Sequence, residues 1–340
     1  MTSKSRLLIL AVAVLLLAGL GTGFVLHAAS QADEKNKPRP GGPAVAAGPV
    51  ALTQKQRLAF INSAAGPQRT DVATVAAGRP GGARTTADLK CARFYAAGGT
   101  GVCLQSGLGV VAQTNRAVIV DSSLHTLHTF ALAGTPSRAR VSPSGHLAAW
   151  TVFVGGESYG AAFFSTRTSI VDTRTWKLLP NLEDFAITLD GHAYRNVDDN
   201  FWGVTFAADD DTFYATLGTG GKTHFMKGSV SRRTVASIGV DNVECPSLSP
   251  DGTRIAFKKR VLAGASLWHE YVLDLRTLKE TPLAEHRSVD DQAAWIDNST
   301  VAYALPKDGD TKSTDLWSVP ADGSGSARLL IPDASSPAPL

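Results

Sequence analysis

Outside its first forty residues the chain carries no excess of charge. Five basic and two acidic residues lie at positions 1–40, which accounts for the whole formal charge of +3. The remaining 300 residues contain 28 basic and 28 acidic side chains, so the main part of the protein is neutral. Binding to a nucleic-acid backbone needs a basic patch that neutralises phosphates. The charge balance therefore argues against nucleic acid as a partner.

Cysteine is scarce, with three residues in the chain, and their spacing fits no zinc site. Cys91 and Cys103 flank a short apolar hairpin with a glycine-rich turn, CARFYAAGGTGVC. Two interpretations of this pair stay open: a disulfide that bridges the hairpin outside the cytoplasm, or two buried thiols that act as small apolar side chains. Cys245 is interpreted as a buried thiol. No cofactor is predicted.

Long apolar stretches are absent except at the amino terminus. Residues 7–26 form an uncharged run whose length is about what crosses ~30 Å of hydrocarbon. Lys4 and Arg6 precede it, as in an export signal. The run exceeds the usual apolar region of a signal peptide, so residues 1–30 are predicted to be a signal-anchor, with a cleaved signal as the alternative. A buried core helix is disfavoured because no polar face interrupts the run.

The basic residues on the two sides of this helix are nearly balanced, so charge does not fix its orientation. A signal-like helix at the amino terminus normally carries the following chain outward. The rest of the protein is therefore expected outside the cell membrane on a single span, or secreted if the signal is cleaved. Residues 31–50 are rich in Pro, Gly and Ala and predict a flexible linker.

Helical periodicity is lacking after residue 50. Short alternating runs separated by Gly, Asp, Asn and Pro indicate many antiparallel strands. The clearest unit is SLSPDGTRIAFKK at 247–259, where Ser-Pro-Asp-Gly predicts a tight turn before a strand. The segment VSPSGHLAAW at 141–150 repeats this unit closely, and four more degenerate copies occur along the chain.

One apolar strand position in each copy marks the repeat: Phe60, Leu104, Trp150, Tyr214, Phe257 and Tyr303. The intervals are 44, 46, 64, 43 and 46 residues, and repeats of roughly 40–45 residues with four short strands are typical of β-propeller blades. The predicted fold is all-β: a six-bladed β-propeller of four-stranded antiparallel blades over residues 51–335, preceded by one N-terminal transmembrane or signal helix. The long interval predicts an insertion in the third blade. Residues 336–340 are expected to be a disordered tail, and residues 43–53 to supply a strand to either the first or the last blade.

These units resemble the repeats of the TolB-like propeller family. The match is Ser249-Pro250-Asp251-Gly252 followed by Ile255-Ala256-Phe257, and it recurs in altered form as Ser142-Pro143-Ser144-Gly145. The resemblance extends over residues 50–335, closely in two blades and loosely in four. It implies an extracytoplasmic protein-interaction module, with an envelope protein or a cell-wall component as partner. TolB of Gram-negative bacteria has an additional domain before its propeller, and because only a short linker stands here, its partner contacts do not carry over.

A Gly-x-Ser-x-Gly pattern at 156–160 raises the hypothesis of a hydrolase with Ser158 as nucleophile. That motif needs a strand–turn–helix corner, whereas here it falls between the second and third strands of a predicted blade. No helix-forming segment follows Gly160. The context therefore argues against catalysis at Ser158, and no catalytic residue is predicted.

Three acidic clusters occur at 198–199, at 209–211 and at Asp308, Asp310 and Asp315. None has the spacing and terminal Glu of a known calcium loop, so they are expected to be solvated turns. A single structural calcium ion stays open, and no metal ligand is predicted.

Most of the six tryptophans are expected to pack between blades. Tyr159 and Trp202 lie in predicted loops and are instead candidates for a ligand-binding rim. The segments 155–166 and 184–200 are the expected functional face, since loops on a rigid scaffold tend to carry recognition. The function predicted is a non-catalytic binding scaffold at the cell envelope. The alternative is a propeller enzyme, a lyase or hydrolase, with its active site in the central channel.

Overall fold

The structure, a computed structural model, describes residues 3–35, 37–38, 40–107, 114–156, 159, 164–261, 267–308 and 310–340. One long helix, α1 (Ser3–Lys35), opens the chain, and the rest is built mainly from strands. The segment Val12–Ser30 is long and apolar enough to cross a membrane, and none of it is buried. A signal sequence has the same length and composition, so both interpretations of residues 1–30 are compatible with this helix.

The strands follow in chain order. The first group is β1 (Val45–Ala47), β2 (Arg57–Asn62), β3 (Asp71–Ala76) and β4 (Arg84–Lys90). The next two groups are β5 (Arg93–Ala97), β6 (Thr100–Gln105), β7 (Arg116–Val120), β8 (Thr126–Ala131), β9 (Thr135–Val141), β10 (Leu147–Gly155), β11 (Ser165–Asp172) and β12 (Lys177–Leu179). A 3-10 turn (Leu182–Asp184) precedes β13 (Ala186–Leu189), β14 (His192–Tyr194), β15 (Asn200–Phe206), β16 (Thr212–Thr219), β17 (Lys222–Ser229) and β18 (Thr234–Asp241). The last strands are β19 (Glu244–Leu248), β20 (Arg254–Arg260), β21 (Trp268–Asp274), β22 (Glu280–Pro282), β23 (Ala294–Trp295), β24 (Thr300–Lys307), β25 (Asp310–Pro320), β26 (Arg328–Ile331) and β27 (Ala334–Pro339).

These strands form six sheets arranged as the blades of a six-bladed β-propeller, so the predicted fold is confirmed. Each sheet has four antiparallel strands at its heart, which are consecutive in the chain in every blade except the first, and two sheets carry additional strands. The repeat positions read from the sequence all fall on the second strand of a blade counted from the centre, and all are buried: Phe60, Leu104, Trp150, Tyr214, Phe257 and Tyr303. The turn-then-strand repeat was therefore the right unit to count.

Blade 1 closes the ring by joining the two ends of the propeller. β27 pairs antiparallel with β2 as its innermost strand, and β1 pairs in parallel with β4 at its outer edge. The expectation of a disordered tail at 336–340 is wrong: Ala338 is fully buried, and the Leu340 amide donates to the Arg57 carbonyl at 2.9 Å. The prolines of this segment suggested disorder, but β27 is an edge strand, where a missing N–H is tolerated.

The linker is also shorter than residues 31–50. Helix α1 extends to Lys35, and β1 is already part of blade 1. Val50 and Leu52 are buried, and the Leu52 amide donates to the Ser122 carbonyl of blade 2 at 2.7 Å. The sequence left open whether residues 43–53 add a strand to the first or to the last blade. They add it to the first.

The predicted insertion lies between blades 3 and 4. Its hairpin, β13 and β14, extends the sheet of blade 4 because β13 pairs in parallel with β18. The insertion thus covers the outer edge of blade 4 rather than enlarging blade 3. Covering an edge strand removes a row of unpaired backbone groups that would otherwise favour association.

The Ser-Pro-Asp-Gly turn of blade 5 is held by its own carboxylate. Asp251 accepts hydrogen bonds from the Ser249 hydroxyl at 2.6 Å and from the Thr253 amide at 3.0 Å, and these bonds lower its pKa to about 2. Gly252 adopts φ +71°, which favours glycine. The sequence therefore encodes this turn completely.

The altered copy in blade 3 has Ser144 where blade 5 has the aspartate. The missing carboxylate comes from Asp210 of blade 4, which accepts from the Ser142 hydroxyl at 3.0 Å and lies 2.8 Å from Nδ1 of His146. A turn that is self-contained in blade 5 is thus an inter-blade contact in blade 3.

The hydrophobic core lies in layers between neighbouring sheets. Between blades 4 and 5, for example, Tyr214 and Phe225 pack against Phe257 and Leu273. Because each blade buries both faces against its neighbours, the first and last blades are fully packed only when the ring closes.

Cys91 and Cys103 form a disulfide with a Cα–Cα distance of 5.4 Å. The bond ties the start of blade 2 to its second strand. The sequence left open a disulfide across the hairpin or two buried thiols, and the structure contains the disulfide. Cys245 is a buried free thiol.

Candidate functional site

The centre of the ring is filled by arginine side chains from the innermost strands. Arg140 on β9 reaches across it, donating to the Ala293 carbonyl and to the Ser247 hydroxyl at 3.0 Å, and its guanidinium lies 4.3 Å from the centroid of the Tyr95 ring. The cavity left beside it is about 20 Å³, which holds roughly one water molecule. A cavity of that size is too small for an organic substrate.

An ion-pair network of two buried cations and the partly exposed Asp290 lies beside this channel. Asp290 accepts from Arg138 at 3.2 Å and from Lys258 at 2.5 Å, and Lys258 is fully buried. Burial opposes the charged form of Asp290, but the two cations outweigh it and lower its pKa. The Tyr159 ring lies against both cations, 4.9 Å from the Arg138 guanidinium and 4.6 Å from the Lys258 ammonium.

Blade 5 presents a cross-strand row of ionisable side chains to this network. Lys258 on β20 pairs in register with Glu244 on one side and with Glu270 on the other. Both carboxylate oxygens of Glu270 are buried without a hydrogen-bond partner among the described residues. Burial, and next the charge of Asp291, raise the pKa of Glu270 to about 8. Glu270 is therefore held as a neutral carboxylic acid at pH 7.

A much larger cavity, of about 690 Å³, lies beside the channel mouth and is lined by residues of blades 3, 4 and 5. We call it the blade 3–5 cavity, and the face of the ring that carries it, with the β16–β17 hairpin and the β18–β19 connection, the cavity face. Its volume is in the range of small-molecule binding sites.

The floor of the blade 3–5 cavity is aromatic. Tyr159 and Trp202 both line it, with ring centroids 5.4 Å apart, and each is only 1% exposed. The Tyr159 hydroxyl hydrogen-bonds the Ser137 hydroxyl at 2.8 Å. Gly218 allows the Trp202 ring to lie flat on β16, since a Cβ there would stand 2.7 Å from the ring carbons.

The structure thus brings the two predicted aromatic residues together but does not expose them. The sequence hypothesis placed both in loops of a ligand-binding rim, but Trp202 lies on strand β15 and both side chains are buried. Their role in binding a ligand stays a prediction. Tyr159 packs against Phe153 and the two channel cations. Trp202 packs against Tyr159 and Phe164. They form the base of the cavity instead of its edge.

Two buried polar atoms of the floor have unused hydrogen-bonding capacity. Trp202 Nε1 donates no hydrogen bond within the described part of the chain. Glu244 is 1% exposed, and its Oε1 accepts from the Trp268 indole at 3.1 Å and from Arg260 at 3.4 Å. Its Oε2 accepts no hydrogen bond there but forms an ion pair with the Lys258 ammonium at 3.9 Å. Both side chains line the cavity.

The rim carries charges of both signs. Asp198 and Asp241 provide carboxylates, and Lys222 and Arg260 provide cations. Asp241 is bonded to His224 at 2.7 Å, and Asp198 accepts from the Thr219 hydroxyl at 2.8 Å. The rim is therefore polar and close to electrically balanced.

Several of these residues were not anticipated from the sequence, in particular Glu244, Lys258, Arg260 and Glu270. The one available signal was the presence of charged residues inside the otherwise apolar strands β19, β20 and β21. On a sheet with one solvated face such residues are unremarkable, so the signal was weak.

The hypothesis of a nucleophile at Ser158 concerns a residue outside those that the structure describes. The acidic cluster at 209–211 consists of turn carboxylates that accept hydrogen bonds: Asp209 from the Thr212 amide at 2.8 Å, Asp211 from the Ser231 amide at 2.7 Å, and Asp210 from blade 3 as described above. Within the described ranges, no three His, Cys, Asp or Glu side chains converge as a metal site requires.

No protein-family model matches the chain, and no curated protein matches it in sequence. Solved structures do share its fold. TolB from Acinetobacter baumannii superposes with a TM-score of 0.57 and 15% identity over 83% of this chain and 66% of that one. A puromycin-hydrolyzing peptidase from Mycobacterium tuberculosis gives a TM-score of 0.50 and 14% identity over 84% of this chain and 45% of that one.

This chain therefore spans just under two thirds of the TolB structure and less than half of the peptidase. Its fold is that of a TolB-like six-bladed β-propeller. At such low identities the likeness concerns the fold alone, and the same fold occurs here in proteins of different activity.

Proposed function

We propose that this protein is a non-catalytic binding propeller, held outside the membrane by α1, that recognises an envelope protein or a cell-wall component through its cavity face. The observation that carries the proposal is the contrast between the two openings. The channel, about 20 Å³, is filled by arginines, while the blade 3–5 cavity of about 690 Å³ is open and polar at its rim.

The chemistry of the channel supports binding rather than turnover. Its charged groups are engaged with one another: Asp290 with Arg138 and Lys258, and Glu244 with Arg260. A catalytic group must reach a bound substrate. Glu270, the neutral buried acid, is fully buried and presents no accessible surface to one.

The tether is the second element of the proposal. Helix α1 carries an unburied apolar segment long enough to span a bilayer. A membrane span followed by a short linker would hold the propeller close to the membrane surface, where envelope partners lie.

Photocrosslinking at two exposed lysines tests which face binds. A photoreactive amino acid replaces Lys222 on the cavity face or Lys279 in the β21–β22 turn on the opposite face. In living cells we expect defined adducts from position 222 and none from position 279. Equal adducts from both positions, or adducts from position 279 alone, would contradict the proposal.

A further inference from the structure

Two guanidinium groups of the central channel stand outside the ion pairs described above. Arg138 pairs with Asp290, but Arg93 on β5 and Arg140 on β9 form no ion pair with any described residue. Burial lowers the pKa of both groups, and for Arg93 the charge of Arg138 adds to that effect. A buried charge without a counter-charge is costly, so this arrangement favours an added anion.

Both groups have unused hydrogen-bond donors. Arg93 donates only through Nε, to the Ser137 carbonyl at 2.7 Å, and Arg140 donates only through Nη2. The two terminal nitrogens of Arg93, and Nε and Nη1 of Arg140, therefore donate to no described residue. Arg138 Nε is fully enclosed without a partner, but none of these four nitrogens is, so each keeps surface that a small ligand can touch.

The channel cavity of about 20 Å³ is the space that these donors share. Its polar lining consists mainly of Arg93, Arg138, Arg140, Tyr95, Asp291 and Gln292. Three guanidinium groups stand there against one carboxylate, and that carboxylate, Asp291, already accepts from the Ala304 amide at 3.0 Å. A positive lining disfavours a cation, and a cavity of this size holds about one water molecule or one monatomic ion.

We propose that the channel cavity binds a chloride ion held by Arg93 and Arg140. The Tyr95 hydroxyl, which makes no hydrogen bond to a described residue, is a third donor to the ion. Arg93 belongs to blade 2 and Arg140 to blade 3, so one anion neutralises charges from two neighbouring blades and stabilises the closed ring. The inference concerns the channel and not the cavity face, so it does not depend on the proposed function.

Thermal unfolding of the full chain in a nonionic detergent tests this inference. Sodium chloride replaces sodium gluconate stepwise at constant ionic strength, so that general screening stays the same. A ligand that binds only the folded state raises the midpoint, and we expect a saturable rise of roughly 2–5 °C. Bromide should act as chloride does, and sulfate, which is too large for the cavity, should not. The absence of a saturable rise, or an equal rise with sulfate, would overturn the inference and leave water as the occupant.

A matched pair of variants locates the ion. Arg93→Gln removes a guanidinium group from the channel cavity and should reduce the chloride-dependent rise to below about 1 °C. Arg116→Gln removes the same group from an exposed position of the same blade, where Arg116 donates to Gln105 at 2.7 Å, and should leave the rise unchanged. An equal rise in the two variants would refute the assignment.

The width of the chloride NMR resonance gives a second measurement, which needs no variant. Exchange of chloride with a site on a large, slowly tumbling protein broadens the line, and we expect added bromide to remove this broadening. If Arg93→Gln does not fold, Tyr95→Phe takes its place: it keeps the ring, removes the hydroxyl donor and should weaken chloride binding about threefold. A line that bromide does not narrow, or unchanged binding in Tyr95→Phe and Arg93→Gln alike, would refute the chloride site.

Discussion

The buried acid Glu270 makes a sharp prediction about stability and pH. Its carboxyl is fully buried with no hydrogen-bond partner among the described residues, and its pKa rises from 4.5 to about 8. The unfolded chain ionises this group near pH 4.5, whereas the folded protein keeps it protonated up to about pH 8. Between these values the folded state binds more protons, so stability falls as pH rises.

The size of the effect follows from the shift. Each pKa unit corresponds to 1.36 kcal/mol. At pH 5 the cost of keeping Glu270 protonated is below about 1 kcal/mol, at pH 7 it is about 3 kcal/mol, and at pH 8 and above it reaches about 4–5 kcal/mol. These are upper values, since a buried site relaxes on ionisation.

Glu270→Gln replaces the acid with a neutral group of similar shape. The variant should be more stable than the natural protein by up to about 3 kcal/mol at pH 7, less any cost of its unpaired amide, and by little at pH 5. Denaturant unfolding followed by tryptophan fluorescence at pH 5, 6, 7 and 8 measures the difference. A difference that does not change over this range would refute the reasoning.

Glu285→Gln is the matched control. Glu285 is also buried, but hydrogen bonds from Arg287 and Tyr303 overcome the effect of burial and lower its pKa. Its contribution to stability is present above the unfolded pKa and is lost on acidification. This variant should therefore be less stable than the natural protein at pH 7, the opposite sign to Glu270→Gln.

Three further predictions concern the frame that holds the site. Replacing Cys91 and Cys103 together by Ala should lower the free energy of unfolding by about 3 kcal/mol, and a reductant should then shift the natural protein but not the variant in thermal denaturation. Gly218→Ala places a Cβ against the Trp202 ring and should destabilise the fold by about 1–3 kcal/mol, with a red shift in tryptophan emission; an unchanged spectrum and midpoint would contradict the packing described. Deleting residues 334–340 removes β27 and should lower the thermal midpoint by roughly 10 °C or more, whereas a midpoint within 2 °C or so of the full chain would mean that this strand does not close the ring.

The fold could be predicted because the repeat is written in local chemistry. Each blade needs a turn and a second strand, and this pair recurs with a nearly constant period around Phe60, Leu104 and the later copies. Ring closure could not be predicted, because β27 contains Pro337 and Pro339 and its one strand partner, β2, lies some 280 residues earlier in the chain.

The site was less predictable for a geometric reason. In a propeller both faces of each sheet pack on a neighbouring sheet. Alternation of polar and apolar residues along a strand therefore does not distinguish solvent-exposed positions from buried ones. Lys258 and Glu270 look like solvated strand positions, yet both are fully buried beside the channel. Tyr159 looks like an exposed loop residue, yet the cations of two other strands bury it.

In the proposed function the blade 3–5 cavity, and not the central channel, receives the ligand. Backbone amide hydrogen exchange, measured with and without a crosslinked partner, tests this directly. We predict added protection in residues 218–223 and 241–244, which border the cavity, and none in 137–140 or 290–293. Protection centred on the channel segments instead would contradict the account.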